Sequence, residues 1–395
     1  MSALQYSQVQ PDNNRSIYNP LDVVNFTINN QGRSLVLGSI KLEGKLRVNS
    51  NGSTRANGAV VADPAHAPED IRFNKNAGVA AFIDSVSVQT AQAGQLENIS
   101  FDYSRYINMV ATATKDVNDS LSSKDICELK APSDILTSEY CYGNQTPTST
   151  TAIEDIDFSH KLKICLNRAV SGDQIPFSKS GFMKVSLSLS RNAAAFYGTY
   201  FVNGTNNMSN VNYTLSDLVI SYQTVPDMGN APPAVMRTIV PIKSTLESDF
   251  SNVASSVPAK CDAVTVSYQF QERENRVLNA ANNPQVWDNN ALNKIPNWES
   301  IQFIFNNSNS EYVSYIIDSE TEALKRAIES LSDTGHNQVS LDAMDTNQHL
   351  IHGLSFGEFI DLSQQKFNVQ ISCPNGISSG GKMVIYLYFH SQISV

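Results

Sequence analysis

At 395 residues the chain is long enough for two or three domains with sizeable cores. Hydrophobic residues make up 41% and charged residues only 17%, below the usual charged share, and Asn, Ser and Thr fill the difference, as in loop-rich β-proteins packed against neighbours. The formal net charge is −10 with no Lys/Arg run, which excludes a chain that grips nucleic acid through its own positive field.

Residues 1–20 (MSALQYSQVQPDNNRSIYNP) hold no apolar signal-peptide core, and no stretch is long and apolar enough to span a membrane. Synthesis in a cytosol-like compartment is therefore expected. The segment reads as a polar arm, ordered only where a neighbour holds it. With Arg15 as its one basic residue it is neither a genome-binding tail nor an amphipathic anchor.

Strands follow. Val23–Asn29 and Ser34–Asn49 alternate apolar and polar, the second with a phase slip at Gly38–Ser39 that predicts a bulge. Residues 50–78 read as a long loop, and Val79–Thr90 as a strand. Residues 97–150 read as an inter-strand excursion with some helix, carrying Tyr103, Tyr106, Ile107 and Val110 on one face. Ile156–Leu166 alternates, Asn167–Ser180 is a turn, and Gly181–Ser190 and Tyr213–Thr224 alternate again.

Val225–Ala234 carries three prolines and a glycine and marks the boundary between two halves. Beyond it, Met236–Leu246, Cys261–Gln271, Ile301–Asn306, Phe367–Ser372 and Lys382–His390 read as strands, the last a central one because both its faces are apolar. Residues 320–331 form the clearest helix, and 333–355 read as polar and irregular. Each half thus holds about eight short strands, which suits an all-β chain of two tandem eight-stranded jelly-roll sandwiches with short helices in the loops: an arm over 1–20, a first jelly roll over 21–228 and a second over 235–395.

The run DFSHKLKICLNRAVSGDQIPFSKSGFMKVSLSLSRNAAAFYG, followed by YTLSDLVISYQTVPDM, resembles the end of the first jelly roll in double jelly-roll major capsid proteins of the adenovirus, tectivirus, virophage and polinton-like lineage. MRTIVPIKSTLESDFSNVASSVPAKCDAVTVSYQF resembles the opening of their second jelly roll, and the helix at 320–331 and the closing KMVIYLYFHSQISV sit where the family has them. The resemblance covers most of residues 20–395 as a pattern of strands. It implies a viral major capsid protein located in the virion, forming pseudo-hexagonal homotrimers that tile an icosahedral shell. It also implies contacts with minor capsid, penton or cement proteins, and no sequence-specific nucleic acid. A tandem β-sandwich adhesin or lectin-like binding protein is the alternative. An enzyme is the third reading, since fold alone never excludes one.

The candidate chemistry is sparse. His349 and His352 could ligate a metal with Asp342, Asp345 or His336, and Asp342, Asp345, Glu358 and Asp361 could gather calcium, but solvated loop residues are the expectation for both. Ser378–Lys382 (SSGGK) lacks the phosphate-loop frame and reads as a hairpin, and hydrolase and kinase motifs are missing. Cys127, Cys141, Cys165, Cys261 and Cys373 lack CxxC spacing and read as free thiols, with a Cys127–Cys141 disulfide as runner-up. The many Asn-X-Ser/Thr sites, Asn25 and Asn98 among them, read as unglycosylated. No catalytic, cofactor or metal residue is assigned.

Overall fold

The computed structural model describes residues 4–50, 77–101, 103–114, 128–129, 155–195, 211–229, 231–246, 250–255, 260–270, 292, 294–295, 297–306, 312–333, 351–362, 366–374 and 383–395. The first half contributes β1 (Gln5–Val9), β2 (Ile17–Tyr18), β3 (Val23–Ile28), β4 (Arg33–Val36), β5 (Lys41–Ser50), β6 (Ile83–Thr90), β7 (Gly94–Ile99), β8 (Ile156–Lys161), β9 (Ala169–Ser171), β10 (Gln174–Pro176), β11 (Met183–Leu189) and β12 (Val211–Pro226). The second contributes β13 (Val235–Leu246), β14 (Phe250–Ser255), β15 (Lys260–Phe270), β16 (Ser300–Asn306), β17 (Tyr312–Ile317), β18 (His352–Asp361), β19 (Lys366–Ser372) and β20 (Met383–Ser394). Two longer helices lie between strands, α1 (Tyr103–Thr114) and α2 (Glu320–Asp333).

Both halves have one topology. In the first, β1-β12-β5-β8 share a core with β3-β11-β6-β7; in the second, β13-β20-β15-β18 share one with β14-β19-β16-β17. Counting each half's eight main strands from 1 to 8 along the chain, both read 1-8-3-6 against 2-7-4-5. That is the doubled Greek key of a jelly roll.

The alternation seen in the sequence is the cause. In β11, Met183, Val185, Leu187 and Leu189 are buried while the residues between them are half-buried. β20 is central, between β13 and β15, and buried on both faces. Its alternate residues serve different cores: Ile385, Leu387 and Phe389 pack inside the second sandwich, whereas Val384, Tyr386 and Tyr388 join the first core cluster. The outer face of the second sandwich is thus covered by α1 and α2, and the two halves share apolar packing.

Several expectations change. Strand 1 of the first sandwich lies inside the segment expected to be a free arm: β1 pairs with β12 from Gln5↔Thr224 to Val9↔Ile220, and β2 pairs farther along β12. QYSQV shows little apolar alternation because this edge strand only half-buries its inner face, at Ser7 and Val9. The Ser34–Asn49 run is two strands, β4 and β5, parted by a turn at Gly38 (φ 81°), instead of one bulged strand. The first turn of the Val79–Thr90 run is a 3-10 helix, Gly78–Phe82. The Asn167–Ser180 turn contains β9, which pairs with β13 and so extends the second sandwich's sheet. Residues 352–355, expected to be irregular, begin β18. Residues 50–78 fall almost wholly outside the described residues, as does most of 97–150 beyond α1.

α2 starts where its sequence says it should. Ser319 Oγ accepts from Glu322 N at 3.2 Å, capping the first turn, and Ala323, Ala327 and Leu331 face inward. The helix lies directly on Gly353 of β18: a Cβ there would sit 2.1 Å from Ser330 Oγ and 3.0 Å from Ala327 Cα. Gly353→Ala is therefore expected to cost about 1–3 kcal/mol through overpacking. Thermal unfolding checks this, and Ser330→Gly in the same chain should recover part of the loss; an unchanged midpoint for Gly353→Ala alone would contradict the close approach.

Candidate functional site

The densest polar arrangement among the described residues lies at the seam between the sandwiches, and Glu97 on β7 is its centre. Its buried carboxylate accepts three donors. Cys165 N reaches Oε2 at 2.6 Å, Ile239 N on β13 reaches Oε1 at 2.8 Å, and the Arg168 guanidinium also donates to Oε1. Cys165 opens a short 3-10 helix, Cys165–Asn167, that presents its amide to the carboxylate. The Arg168 carbonyl accepts from Arg237 N at 2.8 Å, and β9 then pairs with β13. One carboxylate thus ties β7 and the link after β8 to the first strand of the second sandwich.

Aromatic and cationic side chains continue the seam. Arg105 of α1 is fully buried with its guanidinium 4.2 Å from the Tyr386 ring centroid, and Tyr106 packs on Tyr388 at 5.2 Å between ring centroids. Such stacking stabilises an arginine taken out of water. Beneath α1, Tyr103 Oη accepts from Lys163 N at 2.8 Å and lies 3.2 Å from His160 Nε2, while Glu128 Oε1 accepts from Lys161 N at 3.1 Å. Burial pushes the Tyr103 phenol up, so it stays neutral. The sequence placed Tyr103, Tyr106, Ile107 and Val110 on one helical face, and all four are buried in the first core.

Of the residues singled out for metal binding, His352, Glu358 and Asp361 are described, and all three lie on β18. His352 is buried in β18, with Nδ1 2.7 Å from Tyr268 Oη and its ring 4.8 Å from that of Trp298. Burial lowers its pKa to about 3 and keeps it neutral, so it is a core residue and not the solvated loop histidine expected. His336, Asp342, Asp345 and His349 lie outside the described residues, as do Cys127, Cys141 and the Ser378–Lys382 loop. Glu358 and Asp361 are exposed on β18. Among the described residues no group of three or more His, Cys, Asp and Glu is placed to hold a metal. Cys165, Cys261 and Cys373 are buried free thiols, as their spacing implied. Burial pushes the Cys165 thiol well up and that of Cys261 to about 12, which suppresses thiolate chemistry. No helix among the described residues is long and apolar enough to cross a membrane. The seam holds the two halves together through charge, hydrogen bonds and ring stacking; sequence reasoning missed Glu97, Arg105 and Arg168 because their partners are distant in the chain.

Comparison by sequence finds no matching family model and no matching curated protein. Comparison by structure finds full-length likenesses at low identity. The Faustovirus major capsid protein aligns with a TM-score of 0.58 at 8% identity, covering 100% of this chain and 90% of that one. PBCV-1 VP54, as fitted into a cryo-EM reconstruction of the virophage Sputnik, aligns at 0.57 with 9% identity and coverages of 100% and 95%. The mavirus major capsid protein aligns at 0.51 with 8% identity and coverages of 99% and 90%. The chain therefore has a double jelly-roll fold, the fold of the Faustovirus and mavirus major capsid proteins.

Proposed function

We propose that this chain is a viral major capsid protein, a building block of the virion shell and not an enzyme. The observation that carries the reading is the repeat of one eight-strand order in two sandwiches locked together by a buried seam, in a chain matched end to end by major capsid proteins. The proposal divides the chain into a first jelly roll ending near residue 228 and a second starting near 235. Three such chains around one axis present six similar blocks, a pseudo-hexagonal outline that tiles a flat facet, and further contacts with penton, minor capsid or cement proteins complete the shell. A rigid seam serves this role because a block that flexed between its halves would blur the outline. Synthesis in the host cytoplasm and assembly there fit the buried free thiols, which persist where the environment is reducing.

The test is native mass by light scattering at two concentrations. Three chains of 43.3 kDa give about 130 kDa, and the expected result is that mass at both concentrations. A stable monomer would overturn the building-block reading and bring forward the tandem adhesin.

A further inference from the structure

The hydrogen-bonded seam does not end at Glu97. Arg168, which donates to Glu97 Oε1, also donates from Nη2 to Lys163 O at 3.3 Å. The amide of that same residue, Lys163 N, donates to Tyr103 Oη at 2.8 Å, and Tyr103 Oη lies 3.2 Å from His160 Nε2. His160 Nδ1 in turn lies 3.6 Å from Glu128 Oε1, which accepts from Lys161 N. Tyr103, Glu128 and His160 are all buried. A titratable ring is thus joined, through one tyrosine and the backbone of one residue, to the pair that accepts from Ile239 N of the second sandwich.

The tyrosine fixes the direction of these bonds. Its hydroxyl accepts from Lys163 N and has one proton to give, and among the described residues its remaining hydrogen-bond neighbour is His160 Nε2. Nε2 is therefore the acceptor, and the imidazole is neutral with its proton on Nδ1, facing Glu128. An imidazolium would donate from Nε2 and leave the buried phenolic proton without an acceptor. Its attraction to Glu128 does not reverse the balance: desolvation offsets much of the gain of a buried ion pair, whereas a stranded buried donor is a net loss. Among the described residues the elements packed around the ring add no further charge to it. β5 sets Leu42 opposite His160, the 3-10 turn Gly78–Phe82 is apolar, and α1 directs Arg105 at the Tyr386 ring. Arg168 and Glu97, which face Tyr103 from the seam, are paired with each other.

We propose that His160 is a proton-sensitive latch on the seam: the neutral ring holds the junction closed, and its protonation loosens the contact between the two sandwiches. Protonation turns the Tyr103 hydroxyl away from His160 and toward the Lys163 amide, which must then give way. Lys163 belongs to the link that presents Cys165 N and the Arg168 guanidinium to Glu97, so a shift there reaches the Ile239 bond. An opened seam accepts the proton that the closed one refuses. Acid therefore favours opening as the pH falls below about 6.5, the ordinary imidazole range. A buried histidine that biases a two-part junction in this way is a pH sensor.

The test is residue-resolved hydrogen exchange of the full chain from pH 7.5 to pH 5, corrected for the intrinsic pH dependence of amide exchange. It compares Arg237 N and Ile239 N, whose acceptors lie in the first sandwich, with Leu387 N in the central strand of the second. In the wild type the two seam amides should lose about tenfold or more of their protection relative to Leu387 N, the effect of one proton over one pH unit. In His160→Gln, whose amide oxygen still accepts from Tyr103 but takes up no proton, that selective loss should vanish; His352 is common to both proteins and cancels. Tyr103→Phe, which removes the stranded proton, should lower seam protection at every pH without the selective loss, and it carries the comparison if His160→Gln does not fold by circular dichroism. Imidazole 15N shifts at pH 7.5 should show His160 protonated on Nδ1 alone. Seam amides that keep pace with Leu387 N in the wild type, or a folded His160→Gln protein with the same selective loss, overturn the latch. A ring protonated on Nε2 at pH 7.5 overturns the tautomer on which it rests.

Discussion

Glu97→Ala is expected to destabilise the protein by about 3–5 kcal/mol, the cost of breaking a buried charge pair by removing one partner. The substitution strips the acceptor from the Cys165 and Ile239 amides and from the Arg168 guanidinium at once. The Cys165 and Ile239 amides are buried and the Arg168 side chain is only 11% exposed, so water does not readily replace the carboxylate. Glu97→Gln retains an oxygen for one amide but loses the charge facing Arg168, and a smaller loss of about 1.5–3 kcal/mol is expected. Denaturant unfolding reads the shift. The position of Glu97 predicts a second signature. Because the carboxylate joins β7 to β13, its loss should separate the unfolding of the two sandwiches into two transitions and speed hydrogen exchange at Ile239 N. A loss below about 1 kcal/mol with a single transition would mean that the apolar contacts of Tyr106, Tyr386 and Tyr388 hold the seam without the charge.

A buried ion pair often contributes little net stability compared with an apolar pair of the same shape. Its value at this seam lies in geometry. The carboxylate accepts from two backbone amides on different elements, which fixes the offset of β7 against β13 to within a hydrogen bond's tolerance. Apolar contacts between α1 and β20 tolerate sliding, but the amides of Cys165 and Ile239 do not. In the proposed role, where three chains present six similar blocks, a junction with one permitted register keeps those blocks in a constant outline.

The sandwiches themselves were legible because burial on one face imposes period two. β11, β12, β15 and β20 announce themselves that way, and β20 even declares its central position through apolar residues on both faces. α2 is legible from its i, i+4 apolar spacing; the Ser319 cap on Glu322 N came only with the structure. The strands that escaped are those whose environment departs from the one-wet, one-dry rule. β1 is an open edge, and HGLSFGEFID in β18 is buried at one end, exposed at the other and holds two glycines. Glu97 was illegible for a different reason. Nothing in the run QLENIS distinguishes a solvated glutamate from a buried one, because its partners lie 68, 71 and 142 residues away. His352 misled because the run before it, 333–349, is largely polar and outweighed the apolar Leu350, Ile351 and Leu354 beside it, and because the residues that surround it, Tyr268 and Trp298, come from other elements.

His352 also sets an acid limit on the fold. Its pKa falls from an ordinary 6.5 to about 3 because burial disfavours the imidazolium. The unfolded chain therefore binds a proton between these values that the folded chain refuses. The contribution is fully present above about pH 6.5 and is lost as the pH falls toward 3, at roughly 1.4 kcal/mol per pH unit for one proton. Lowering the pH from 6.5 to 5 should thus remove about 2 kcal/mol through this residue alone. His352→Phe isolates the effect. Phenylalanine fits beside Trp298 but leaves the Tyr268 hydroxyl without its ring-nitrogen partner, so at pH 7 the variant should be less stable by about 1–3 kcal/mol. On acidification the deficit should shrink, because only the wild type must keep a histidine neutral at this position. The other buried histidines, His160 and His390, are common to both proteins and cancel in the difference. Urea unfolding from pH 7 to pH 4.5 measures both curves. Converging curves whose slopes differ by one proton place the acid sensitivity at His352, whereas parallel curves would mean that water or a rearranged neighbour reaches the imidazole and charges it inside the fold.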